Sequence, residues 1–359
     1  MDNFTERIKA ASKGIVTIGE FQGHYKDFKK SSDSNNSTRK YYFPEFIEEV
    51  ECILQCGKDW SKNRSVNLML TGPHGVGKTE FVNEIATRCG FSKVFHVNGR
   101  EDMCSGDFLG EQTVEIDLKT LQNRITFRKG PLYKAFIEGT QVDENGNQIL
   151  DKNGNPIVTG KPGIFFLDEF AVLLPGVFLS VFNRVMEIPR NAGESRSLEI
   201  SMDGGRVIKS HPGFAMILSG NTVGKGTESE STMGYTAQNN IMDDSTLNRI
   251  TAIYEFYFNL PAEEEIIAIA FQDEKLVKKF FNFVNSSREL FFKNKISTLI
   301  STRTIVNVMD VYERLLPLYN HQEALKIALK RSLFAGLREH EIQAWKELSR
   351  SEIGINIWY

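Results

Sequence analysis

The stretch TGPHGVGKTEF, residues 71–81, constrains the fold of this chain most strongly, because three glycines join a short apolar run to a helix-forming segment. Its spacing matches G-x-x-x-x-G-K-[ST], a loop whose backbone N–H groups surround phosphate oxygens at the start of a helix. Lys78 would reach the terminal phosphates and Thr79 would ligate magnesium. The alternative interpretation is a glycine turn that fits the pattern by chance. The predicted phosphate-binding residues are Gly72, Pro73, His74, Gly75, Val76, Gly77, Lys78 and Thr79.

A second motif, GIFFLDEF at residues 163–170, is an apolar run that ends in two adjacent carboxylates. Asp168, at the carboxyl end of a buried strand, could join the magnesium shell. Glu169 could polarise a water molecule for in-line attack on a terminal phosphate. A solvated acidic loop after a buried strand is the alternative, and the glycine loop upstream favours the magnesium site.

A third motif, FAMILSGNTVG, again places a polar residue after a hydrophobic run. Asn221 could orient the attacking water through its neutral amide. Asparagine is also common where a strand enters a turn, so the residue alone does not decide between these interpretations. Its place after the two preceding motifs favours a role at the same site.

The order of apolar runs predicts an α/β fold. The runs VNLML, KVFHV, GIFFLDEF, FAMILSGN and ITAIYEFYF are separated by helical or loop segments, which is the pattern of a parallel sheet covered on both faces. The length of 359 residues exceeds a usual single core, and amphipathic helical segments follow Pro261. We therefore expect an N-terminal arm at 1–40, an α/β core at 41–260 and a smaller all-helical domain at 261–359.

Composition argues against several other classes of protein. A net charge of −3 carries no sign of a nucleic-acid or membrane partner. No run approaches the roughly 18 apolar residues of a membrane span, and the first residues lack the apolar core of a signal peptide. The four cysteines and six histidines lack metal-ligand spacing, which predicts reduced thiols and no zinc site. These features predict a soluble, cytoplasmic protein.

Two inserts interrupt the predicted core. Residues 193–214 alternate apolar and polar side chains around the turn DGGR, which predicts a β-hairpin. Residues 141–160 contain two Asn-Gly turns with apolar residues between them, which predicts a second hairpin. A decorated surface loop is the alternative for each insert.

The order of glycine loop, FFLDEF, SGNT and STRT resembles the core of an AAA+ ATPase with its helical lid, over roughly residues 45–350. Within that superfamily the chain most resembles the MoxR group, in the branch that contains CobS, CbbQ and NorQ. Three stretches carry this narrower resemblance: FRKGPLYKAFIEG, the asparagine-rich segment ending in TLNRI, and STRT.

The resemblance implies a role for each motif. Gly72 to Thr79 become Walker A, the carboxylates at 168 and 169 become Walker B, and Asn221 becomes sensor 1. Arg303 in STRT would be sensor 2, although a helix-start arginine in a surface pair is the alternative. Arg249 would be a finger that acts on the neighbouring subunit, and Arg184 and Arg190 remain rival cations for that role.

The resemblance also implies an assembly and a client. A finger supplied by a neighbour requires a ring, most often a homo-hexamer, that binds ATP and Mg²⁺. The hairpin at 193–214 matches a family insert that faces the central pore. The implied work is remodelling of a protein client, with a von Willebrand factor A domain protein as partner and metal insertion, cofactor maturation or enzyme activation as the outcome. Two alternatives stay open: a ring ATPase that acts on nucleic acid, and a nucleotide-gated scaffold with little turnover.

Overall fold

The structure is a computed structural model that describes residues 44, 46–54, 60–62, 64–116, 123–221, 244–271, 273–293, 295–337 and 339–356, together with the backbone of 15–16 and 41–42. The chain divides into two compact units. The first, here called the core unit, consists of Phe46–Gly72 and Lys78–Phe256. The second, here called the helical unit, consists of Met1–Glu45, Pro73–Gly77 and Tyr257–Tyr359.

The described strands are β1 (Ile15–Val16), β2 (Tyr41–Tyr42), β3 (Val66–Thr71), β4 (Lys93–Asn98), β5 (Gly110–Ile116), β6 (Asn123–Lys129), β7 (Gly163–Asp168), β8 (Ser197–Ile200), β9 (Arg206–Lys209), β10 (Ala215–Ser219) and β11 (Ala252–Glu255). The described α-helices are α1 (Ile47–Leu54), α2 (Lys78–Arg88), α3 (Ser105–Leu109), α4 (Pro131–Ile137), α5 (Pro175–Val177), α6 (Asn183–Val185), α7 (Asp244–Leu247), α8 (Leu260–Phe271), α9 (Glu274–Phe292), α10 (Thr302–Leu315), α11 (His321–Ser332) and α12 (Ile342–Glu352). A π-helical segment, Phe178–Phe182, separates α5 from α6.

The core unit is built on a five-stranded sheet in the order β11-β3-β10-β7-β4, in which every neighbouring pair is parallel. Strands β3 and β10 are buried along their whole length, as expected for continuous apolar runs covered on both faces. Because the strands are parallel, the carboxyl ends of β3, β7 and β10 lie along one edge of the sheet. The predicted α/β fold class is confirmed.

Aromatic side chains fill one face of this sheet. Phe108 packs edge-to-face on Phe182 with a centroid distance of 5.0 Å, and Phe136 packs in the same way on Phe214 at 5.1 Å. All four rings are fully buried. Pairs of this kind add about 0.5–1.5 kcal/mol beyond the burial of their apolar area, so they fix the helices that flank the sheet.

The core unit also carries two antiparallel hairpins. Strands β8 and β9 pair from Ser197 opposite Lys209 to Ile200 opposite Arg206, within the stretch 193–214 where the sequence predicts a hairpin. Strands β5 and β6 form the other hairpin, which the sequence analysis missed. The alternation in TVEI and NRITF was the available signal for it.

The insert at 141–160 contains two tight turns in series, and isolated β-bridges take the place of regular strands. In each turn an aspartate carboxylate accepts hydrogen bonds from backbone N–H groups two and four residues later, at Asp143 and Asp151. Gln148 donates to the carbonyl of Lys209 (2.7 Å) and accepts from its N–H (2.8 Å). Lys129 donates to two carbonyls of the first turn. The insert therefore braces the outer ends of β6 and β9.

The helical unit packs α8 to α12 around its own apolar core, with Trp345 fully buried against Phe283 and Phe334. A buried ion pair crosses this core: Arg288 donates to both carboxylate oxygens of Glu263 at 2.7 and 2.8 Å. No helix among the described residues is long and apolar enough to cross a membrane.

Candidate active site

The loop after β3 is shaped by glycine. Gly72 has φ +130°, and a Cβ at this position would lie 2.3 Å from the carbonyl oxygen of Phe256, so no other residue fits. Helix α2 begins at Lys78, and its first backbone N–H groups have no partner within the helix. The buried ammonium of Lys78 donates to the carbonyl of Gly72 at 2.6 Å. The loop thus leads from a buried strand directly to the electropositive end of a helix.

Side chains from three elements converge on Asp168 at the end of β7. The hydroxyl of Thr79, in the first turn of α2, donates to Oδ2 at 2.9 Å. The hydroxyl of Ser219, at the end of β10, donates to Oδ1. The imidazole Nε2 of His96, on β4, lies 3.8 Å from Oδ2. Parallel pairing with β7 brings His96 and Ser219 close to Asp168, and Thr79 reaches it from the start of α2.

These contacts keep Asp168 ionised. Burial opposes its ionisation, but interactions with His96 and hydrogen bonds from Ser219 and Thr79 hold the pKa at about 2. A carboxylate beside a hydroxyl is a donor pair of hard oxygen atoms, which suits Mg²⁺. Thr79 and Asp168 therefore fit the magnesium-binding role that the sequence predicts for them.

Glu169 has an unusual backbone conformation. Its φ is 55°, and among the described residues it is the only one other than glycine with a positive φ. Gly99 permits this conformation, because its N–H donates to the carbonyl of Asp168 (2.7 Å) and a Cβ on Gly99 would lie 2.5 Å from the carbonyl oxygen of Glu169. Strain of this kind, about 1–3 kcal/mol, is concentrated at functional sites. The side chain of Glu169 is exposed and follows the ionised carboxylate directly.

Asn221 lies two residues after β10, which sits between β3 and β7 in the sheet. The topology therefore brings Asn221 to the edge that carries Asp168. The segment 222–243, which includes most of the asparagine-rich stretch, lies outside the described residues.

Arg249 follows α7, and its side chain is only partly exposed. Its guanidinium donates to the carbonyl of Ser245 at 2.6 Å and lies 3.7 Å from a carboxylate oxygen of Glu187. The rival cations Arg184 and Arg190 are exposed on the same unit. All three arginine side chains are at least partly exposed, so burial does not select among them and the identity of the finger stays a prediction.

Arg303 lies at the second position of α10, whose N-cap hydroxyl belongs to Ser301. Within the helical unit its backbone N–H donates to the carbonyl of Gly75 at 3.3 Å. A Cβ on Gly75 would lie 2.6 Å from the hydroxyl oxygen of Ser301. The motif STRT is thus packed directly on part of the glycine-rich loop, and the side chain of Arg303 is exposed.

Sequence reasoning missed three residues of this site: His96, Gly99 and Ser219. His96 lies on β4, Gly99 follows β4 directly, and Ser219 ends β10. Both strands pair in parallel with β7, which ends at Asp168. A polar residue inside an apolar run was the available signal for His96 and Ser219.

Comparison with known proteins gives relatives of the region that carries this site. The family model described as "AAA domain (dynein-related subfamily)" matches residues 67–233, which include most of β3, the glycine loop, Asp168 and Asn221. With the parallel sheet and the helical unit, this match supports an AAA+ fold. The chain is 24% identical over 316 residues to the aerobic cobaltochelatase subunit CobS of Sinorhizobium sp, covering 80% of this chain and 83% of the relative. The domain match and this similarity together support an AAA+ protein of the MoxR/CobS-like type.

A similar solved structure is that of a point mutant of RuvB from Thermotoga maritima, with 14% identity and a TM-score of 0.43, covering 87% of this chain and 79% of that one.

Proposed function

We propose that this chain is a magnesium-dependent ATPase that works as a ring. The observation that carries the proposal is the 2.9 Å hydrogen bond from Thr79 to an ionised Asp168, formed where a glycine loop enters a helix N-terminus. A hydroxyl and a carboxylate in this arrangement would hold a magnesium ion, which would supply positive charge next to the phosphates of ATP.

Each residue then has a defined task. Lys78 exchanges the carbonyl of Gly72 for phosphate oxygens when nucleotide enters. Thr79 and Asp168 hold magnesium, which when bound neutralises negative charge on the phosphates. Glu169 orients and polarises the attacking water, and Asn221 holds that water from the neighbouring strand. The strained backbone of Glu169 and the exposure of its side chain support this assignment.

The arginines complete the site in an assembly. Arg249 stabilises charge on the phosphates bound by the neighbouring subunit, and Arg303 contacts the nucleotide as sensor 2. Such a finger makes hydrolysis depend on assembly, here a homo-hexamer in the cytoplasm. The partial exposure of Arg249 and its weak pairing with Glu187 support its availability to a neighbour.

The work of the ring is remodelling of a protein client together with a von Willebrand factor A domain protein. Similarity to a cobaltochelatase subunit supports metal insertion or cofactor maturation as the class of task. A nucleic-acid track is less favoured: the net charge is −3, and Arg206 on the β8–β9 hairpin pairs with Asp203 at 2.7 Å.

The test combines steady-state ATP hydrolysis with light scattering for the wild type, Glu169→Gln and Arg249→Ala, with Arg184→Ala and Arg190→Ala as matched controls. We expect wild-type turnover to rise with protein concentration, and Glu169→Gln to bind ATP without hydrolysing it. Arg249→Ala should keep nucleotide affinity and lose turnover, by about 10³-fold or more for a finger. If the wild type assembles with ATP but turns over no faster than Glu169→Gln, a nucleotide-gated scaffold replaces the proposal.

A further inference from the structure

A buried polar cluster is centred on Asn67, in the middle of the sheet. Asn67 is fully buried on β3, where the burial of a polar side chain is costly unless it is hydrogen-bonded. Its amide nitrogen donates to the carbonyls of Met186 (2.7 Å) and Arg249 (2.8 Å). Its amide oxygen accepts from the guanidinium of Arg196 at 2.7 Å. The amide therefore uses both donors and its acceptor to join three separate segments.

Arg196 is a charged residue with only 2% of its surface exposed. It donates to the hydroxyl of Ser65 (2.9 Å), to Asn67 and to the carbonyl of Val185 (2.7 Å). Among the described residues no carboxylate forms an ion pair with it, and its Nη2 atom has no hydrogen-bond partner. Burial lowers its pKa to about 9. A buried cation without a carboxylate counterion is expensive, and the hydrogen bonds together with the Phe214 ring, 5.2 Å from the guanidinium, offset part of that cost.

The segments joined by this cluster have different proposed roles. The backbone of Arg196 exchanges hydrogen bonds with Ser210, which closes the base of the β8–β9 hairpin. Val185 ends α6 and Met186 caps it, at the end of the helical segments that follow β7. Arg249 is the proposed finger, and its carbonyl is fixed directly by Asn67. A displacement of the hairpin base would therefore reach Arg249 through two side chains.

We propose that Asn67 and Arg196 are positioning residues for Arg249, and that they connect the base of the β8–β9 hairpin to the finger. The inference rests on the proposed function. Because Arg249 is proposed to act on the nucleotide of the neighbouring subunit, damage to the cluster should impair the neighbour's site and leave the subunit's own site intact. A purely structural role predicts the reverse, a defect in the damaged subunit itself.

Two variants disrupt the cluster of Asn67 and Arg196 in different ways. Asn67→Asp keeps the contact with Arg196 but cannot donate to the carbonyls of Met186 and Arg249. Arg196→Met removes the buried charge while filling a similar volume. Thr140→Val, which removes a buried hydroxyl from the 141–160 insert, is the matched control and should keep wild-type turnover. Each cluster variant alone should lose turnover by about 10²-fold, as expected for misplacement by an ångström, with unchanged affinity for a fluorescent ATP analogue.

The decisive measurement mixes subunits. Glu169→Gln subunits have an inactive site of their own but an intact Arg249, and they can supply that arginine to a neighbour. ATP hydrolysis by Asn67→Asp or Arg196→Met mixed with Glu169→Gln should exceed the sum of the separate rates and reach the level of an Arg249→Ala mixture. If one cluster variant does not fold, the other carries the same test.

The contrary outcomes are distinct. If Arg249→Ala is rescued in the mixture and the folded cluster variant is not, the cluster acts on its own subunit's site; the positioning inference is then wrong, and the proposed function stands. If Arg249→Ala is not rescued either, Arg249 is not a finger, and the inference is overturned together with that part of the proposed function.

Discussion

His211 should make the core unit less stable as the pH falls from about 7 to 5. The imidazole is fully buried, and its Nδ1 atom accepts from the N–H of Gly213 at 2.9 Å. The remaining proton must then be on Nε2, which lies 3.2 Å from the carbonyl of Gly160. Trp60 packs edge-on against the ring at 5.6 Å. This environment holds one neutral tautomer and leaves no acceptor for a second proton.

The size of the effect follows from the pKa of His211. Burial lowers it from 6.5 to about 4, partly offset by the hydrogen bond to Gly160. Between these values the unfolded chain binds a proton that the folded chain does not, so the free energy of unfolding falls as the pH falls. At about 1.36 kcal/mol per pH unit, the loss at pH 5 is about 2 kcal/mol. Above about pH 7 the term vanishes, because the imidazole is neutral in both states.

Urea unfolding followed by circular dichroism at pH 7, 6 and 5 measures this slope. His211→Asn keeps an acceptor for the N–H of Gly213 but does not titrate. The variant should be less stable at pH 7, and its loss on going to pH 5 should be smaller than that of the wild type by about 2 kcal/mol. His340→Asn, at an exposed position, controls for removal of an imidazole as such. Equal pH slopes for the wild type and His211→Asn would refute the reasoning.

Three further predictions concern other parts of the chain. Glu263→Gln removes the charge partner of a buried arginine and should lower the free energy of unfolding by about 3–5 kcal/mol, measured by calorimetry; a loss below about 1 kcal/mol would contradict a buried pair. Gly99→Ala forces a Cβ against the carbonyl of Glu169 and should lower ATP turnover by about 10²-fold, with nucleotide affinity unchanged. The control Gly176→Ala, at a glycine with open space around it, should have no effect on turnover. Gln148→Ala removes both hydrogen bonds to β9 and should speed hydrogen exchange in 140–160 without changing turnover; unchanged exchange would show that the brace is dispensable.

Some features were predictable because their determinants are contiguous. The glycine loop and the start of α2 lie within a few residues, so spacing alone indicates a strand, a tight turn and a helix. The buried strands β3, β7 and β10 are recognisable as apolar runs, and α9 and α10 as amphipathic repeats. The adjacent carboxylates at 168 and 169 could be assigned to one site because they follow a strand of this kind.

The β5–β6 hairpin is an intermediate case. Its alternating pattern is present in the sequence, but Val114, Ile116 and Ile125 are exposed in the structure. The pattern therefore lacks the buried face that usually makes alternation a strong signal. The two turns of the 141–160 insert were predictable as turns, since Asp and Asn-Gly at this spacing satisfy the backbone locally, whereas their attachment to β9 was not.

The sequence by itself determined the motifs of this protein and their order along the chain. The tertiary structure decided which of them meet. Strand order and register bring His96 and Ser219 to Asp168. Asn67 and Arg196 belong to residue types that are usually exposed, yet the fold buries them in one hydrogen-bonded cluster. The physical reason is that a loop or a helix is specified by neighbours in the chain. A hydrogen bond between residues 129 positions apart, as between Asn67 and Arg196, exists only after the sheet has formed.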